Sequence, residues 1–265
     1  MDPGSHQRTT AQAGTGAPVK TAASLLSILQ EGRDLDEKIV LGQLQHAISQ
    51  GAPVNAMQRV AHKFNTALGE ACFQGRDQVV RFLLTQGANP HWPGEAEIPQ
   101  GLLAGDEYGC YEGIEADPLG VAMSEMTWVL AEESLHSTDP QYPEKYRIGV
   151  SIVNQLLDAG ADPTRPDPAR FRTPIESMLL ILIENPHYQA KALNTAGGIF
   201  LRLIENQPGW VARIAQGHFD VLGIGWLGDM RAEHPALAQR LQQVATARLL
   251  EQATPTTPTG PKVRL

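Results

Sequence analysis

The chain has 265 residues and a net charge of −8, with 42% hydrophobic and 19% charged residues. That composition excludes a wholly disordered or collagen-like chain, and the length suffices for one or two domains with a substantial core. The longest apolar run, Met178 to Ile183, is far short of the roughly 20 residues of a membrane helix, and no basic stretch near the N-terminus leads into an apolar one. A cytoplasmic-type protein is expected, with Cys72 and Cys110 as free thiols rather than a disulfide scaffold.

Residues 1–20 are rich in Gly, Ser, Thr, Ala, Gln and Pro, with too few large apolar side chains to offset chain entropy, and are expected to be disordered. A Ser/Thr/Gly/Ala-rich start of this kind also resembles a secretion signal, which leaves open an alternative location inside a host cell. The first predicted helix, Ala22 to Gln30, presents Leu25, Leu26 and Leu29 on one side. From there a pattern recurs. Val79, Val80, Leu83 and Leu84 precede Gly87-Ala88-Asn89-Pro90; 73 residues later Ile152, Val153, Leu156 and Leu157 precede Gly160-Ala161-Asp162-Pro163. A shift of −36 from the first copy finds Leu44, Ala47 and Ile48 before Gly51-Ala52-Pro53, and a shift of +47 from the second finds Ile199, Phe200, Leu203 and Ile204. In the last copy Gln207-Pro208 stands in place of Gly-Ala.

Apolar residues at i, i+1, i+4 and i+5 form one stripe on a helix, and a glycine three residues on can take the left-handed conformation that stops it. Upstream of three copies lie Thr66-Ala67-Leu68, Asp117-Pro118-Leu119 and Thr173-Pro174-Ile175. Thr and Asp accept an orphan N–H at a helix start, and Pro suits the first helical position. Each unit is therefore expected to be helix, turn, helix, loop. Beyond the last copy, Trp210 to Ile214 and Pro235 to Leu250 give two more helical patterns, the latter with Leu237, Leu241, Val244 and Leu249 among Arg and Gln. A stack of such units needs polar covers at its ends, so these are expected as capping helices over 209–253, with Ala22 to Gln30 as the N-terminal cover. The Thr/Pro-rich tail, 254–265, is expected to be disordered.

These residues resemble the ankyrin-repeat family. Its T-P-L-H-x-A start, later glycine and Val-Val-x-x-Leu-Leu-x-x-Gly-Ala-Asp run are matched by Thr66 to Pro90, including Ala71 and Gly75. Gly69, Gly120 and Glu176 stand where the family has histidine. The resemblance covers about residues 36–207 and implies an all-α, ankyrin-like helical solenoid of about four repeats, the first and last degenerate, within a 21–253 domain. It also implies protein–protein interaction through loop tips and the concave face of the first helices, the alternative being a secreted bacterial effector that engages a host protein.

Charge supplies the second signal. No Lys or Arg lies between Arg81 and Lys145, yet that span holds twelve of the chain's 29 acidic residues. Half of its acids fall in an insertion, residues 91–116, together with Trp92, Tyr108 and Tyr111. Long loops in compact folds are more often functional than inert, and aromatics among acids resemble interface anchors. The expected partner-binding residues are thus Trp92, Tyr108 and Tyr111 as anchors, with Glu95, Glu97, Asp106, Glu107, Glu112 and Glu115 steering a basic protein surface. Neither nucleic acid nor a membrane is expected as the partner, because an acidic face repels phosphates and the last helix has a mixed polar face.

Enzyme-like strings lack their context. Gly223-Ile224-Gly225-Trp226-Leu227-Gly228 fits a dinucleotide-binding pattern, but no repeated strand and helix surrounds it and Pro235 interrupts the next segment early. Glu132 and His136 share a helix face without an evident third metal ligand, and His91 and Cys110 have no supporting spacing. No catalytic residue, metal ligand or cofactor is therefore assigned.

Overall fold

In a computed structural model, residues 24–253 are described apart from 61–62, 92–116, 136–141, 166–172, 185–189, 206–208, 220–231 and 233. The described residues form helices α1 (Leu25–Glu31), α2 (Glu37–Ser49), α3 (Ala67–Phe73), α4 (Asp77–Thr85), α5 (Pro118–Leu135), α6 (Tyr142–Asp158), α7 (Pro174–Glu184), α8 (Ala190–Ile204), α9 (Trp210–Ala215) and α10 (Pro235–Ala253). One short antiparallel hairpin, β1 (Gln58–Val60) with β2 (Lys63–Asn65), joins α2 to α3, with Gln58 opposite Asn65 and Val60 opposite Lys63. This hairpin is the exception to the all-α expectation. Strands of three residues carry too little alternation to announce themselves in a sequence.

The helices begin where local chemistry satisfies their free N–H groups. Ser24 Oγ accepts the Ser27 N–H at 3.0 Å, Asp36 Oδ1 accepts that of Lys38 at 2.8 Å, and Thr66 Oγ1 accepts that of Gly69 at 3.1 Å. At α7 the cap is reciprocal. Thr173 Oγ1 accepts the Glu176 N–H at 3.1 Å, while Glu176 Oε2 accepts the Thr173 N–H at 2.7 Å. Glu176, at the place of the family histidine, thus secures its own helix start. At Gly69, another such place, an added Cβ would press on the Asn65 carboxamide, which would have to shift.

The helices end on a repeated turn. Gly51, Gly87 and Gly160 have φ of 88°, 83° and 94°, values that suit glycine because it lacks a Cβ. After each, an alanine N–H reaches back five residues: Ala52 to Ala47 O, Ala88 to Leu83 O and Ala161 to Leu156 O. These bonds satisfy carbonyls that the helix end leaves open.

Packing arranges the helices in two rows. Consecutive helices pair, α1 with α2 through α9 with α10; α1, α3, α5 and α7 stack in one row, and α2, α4, α6, α8 and α10 in the other. The stripes read from the sequence meet in the shared core: Val79, Val80, Leu83, Ile152, Val153, Leu156, Leu157, Ile199, Phe200, Leu203 and Ile204 are all buried. Each such side chain contributes about 1.5–3 kcal/mol by leaving water.

Both ends continue the pairing. The helix expected as an N-terminal cover is α1, the first helix of the first pair, stacked on α3. At the other end α9 and α10 make a fifth pair, with α10 continuing the second row on α8. The α9 end repeats the α3 end: Gly217 has φ 80° and His218 N–H bonds Arg213 O, as Gly75 has φ 64° and Arg76 N–H bonds Ala71 O. Gln216-Gly217-His218 accordingly parallels Gln74-Gly75-Arg76.

Candidate functional site

The turns that close α2 and α4 stand side by side and bond one another. In the first turn, Asn55 Nδ2 donates to Gly87 O at 3.0 Å, and Asn55 Oδ1 accepts the Asn89 N–H at 2.7 Å. The position of Asn55 in its turn is that of His91 in the second, four residues beyond the turn glycine in both. The Asn89 carboxamide accepts the His91 N–H at 3.0 Å, and His91 Nδ1 is buried without a hydrogen-bond partner among the described residues. Its ring lies within electrostatic reach of Asp162 in the third turn. Burial alone would raise the Asp162 carboxyl. The Thr164 hydroxyl and N–H that bond it at 2.6 and 2.9 Å, with His91 and Arg165 nearby, outweigh that and hold it below the usual carboxylate value.

This row of turns brings the chain to the acidic insertion. Trp92, Glu95, Glu97, Asp106, Glu107, Tyr108, Tyr111, Glu112 and Glu115 all lie outside the described residues, as do Cys110, His136 and the glycines from Gly223 to Gly228. What the structure supplies is the two flanks. One is His91, at the end of the second turn. The other is Asp117, buried just before α5, whose carbonyl accepts the Val121 N–H at 2.8 Å. In chain order the insertion falls between α4 and α5, as the β1–β2 hairpin falls between α2 and α3. Loops at this edge lie on a scaffold clamped by its neighbours, which suits them to carry contacts without disturbing the core.

A network on the opposite side ties the first pair to the second. Buried Arg76 donates through Nη2 to Gly32 O at 2.7 Å and to Arg33 O at 2.8 Å, through Nη1 to Leu35 O at 3.3 Å, and through Nε to Gln74 Oε1 at 2.7 Å. Gln74 Nε2 donates to Leu29 O at 3.0 Å and to Glu70 Oε1 at 2.7 Å. Glu37 Oε1 accepts the N–H groups of Gln78 and Val79, at 2.9 and 3.2 Å, at the start of α4. These bonds account for the polar groups buried in that junction.

The same side holds a cleft that the sequence did not reveal. A cavity of about 300 Å³ opens between α3, α5 and α6, lined by Cys72, Phe73, Met126, Ile148 and Gly149. Phe73 is 49% exposed, with the Arg33 guanidinium 5.6 Å from its ring centroid. Cys72 is no nucleophile. Burial pushes its thiol well above the ordinary value, the Asp117 charge adds to the effect, and the protonated form is inert.

Among the described residues no group of three or more His, Cys, Asp and Glu side chains is placed to hold a metal ion, and no helix is long and apolar enough to cross a membrane. Residues 63–94 match the family model of the ankyrin repeat, a protein-interaction unit. The match spans the hairpin strand β2, the helix pair α3–α4 and the second turn, and it bears out the resemblance drawn from Thr66 to Pro90. No curated protein matches the chain.

Proposed function

We propose that this chain, whose residues 63–94 match the ankyrin repeat, is a protein-binding module whose partner presents a basic surface to the acidic insertion and the adjoining turns. The observation that carries the reading is the charge distribution: twelve acids and no Lys or Arg between Arg81 and Lys145. An uncompensated acidic span focuses a negative potential that draws a cationic partner and raises its association rate. Trp92, Tyr108 and Tyr111 supply the large apolar contacts on which binding energy concentrates, while Glu95, Glu97, Asp106, Glu107, Glu112 and Glu115 govern approach. The bonded turns lead directly to His91, the last described residue before the insertion, which supports the same reading.

The experiment is kinetic. Glu95→Lys, Glu97→Lys, Glu112→Lys and Glu115→Lys together should slow association with the bound partner and flatten its dependence on salt, leaving the helical circular dichroism unchanged. Association at the parent rate, with the parent salt dependence, would sink the electrostatic part of the proposal.

A further inference from the structure

We draw no further inference here: the strongest candidate, the cleft between α3, α5 and α6 with Phe73 at its mouth, has nothing in the structure to show what covers it.

Discussion

The Asn55 carboxamide bonds both sides of the next turn, accepting the Asn89 N–H at 2.7 Å while donating to Gly87 O at 3.0 Å. One amide side chain thereby spaces two successive turns. Replacing Asn55 with Ala removes both bonds at an exposed site and should lower stability by about 0.5–1.5 kcal/mol. Asn55→Asp should cost more, since a carboxylate cannot donate and is brought against the Gly87 carbonyl. Urea unfolding of the two variants checks the order; an unchanged midpoint in both would show that the clasp adds nothing to stability.

Arg76 offers a sharper test, because it is buried and its acceptors are carbonyls of the α1–α2 connection. Arg76→Met leaves those carbonyls without their donor and should destabilise by about 2–3 kcal/mol. Lys at the same place has a single point of donation and should recover only part of the loss. Amide exchange at 32–35 should accelerate in both variants. Parent-like protection there would show that the connection holds itself.

The five turns make a prediction about the far end of the stack. Gly87 and Gly217 both occupy the left-handed region, so Gly87→Ala and Gly217→Ala should each cost about 1 kcal/mol through backbone strain. Similar costs in one cooperative transition are expected if the α9–α10 pair folds with the stack. A Gly217→Ala variant that unfolds in a separate, earlier step would instead make that pair an independent appendage.

Much of this fold was legible in the sequence, for a physical reason. Val79, Val80 and Leu83 share a stripe with a glycine stop, and Ile152, Val153, Leu156 and Leu157 repeat it, so spacing alone marks both a helix and the face it buries. The fifth pair was harder, because α9 has six residues and its partner helix starts at Pro235, well beyond the Gln216-Gly217 turn. Arg76 gives no warning at all. Three of its partners are backbone carbonyls more than 40 residues away, and carbonyls carry no sequence identity. The cleft at Phe73 likewise depends on how three helices meet. The acid-rich span is a matter of composition alone, and its residues 92–116 lie outside those described.

Acid should weaken the stack in a defined window. Burial alone would raise Asp162 and Glu205, but hydrogen bonds from Thr164 to Asp162, and from Arg202 and Arg248 to Glu205, hold both carboxyls below their ordinary values. A carboxyl lowered in the folded state stabilises above its unfolded value, near 4, and that contribution is lost as pH falls through the lower folded value. Asp162→Asn and Glu205→Gln should therefore be less stable than the parent at neutral pH, with the gap closing as pH falls below the ordinary carboxylate range. A gap that stays constant over that range would show that the charges contribute nothing.

The most direct test of binding through the acidic insertion is affinity capture from the native lysate at low and high salt, with the intact chain beside a variant lacking residues 93–114. The expected result is a partner that the intact chain retains at low salt, releases at high salt and fails to capture once those residues are removed. Capture that persists through the deletion, or that ignores salt, would contradict this and move the binding surface onto the helices.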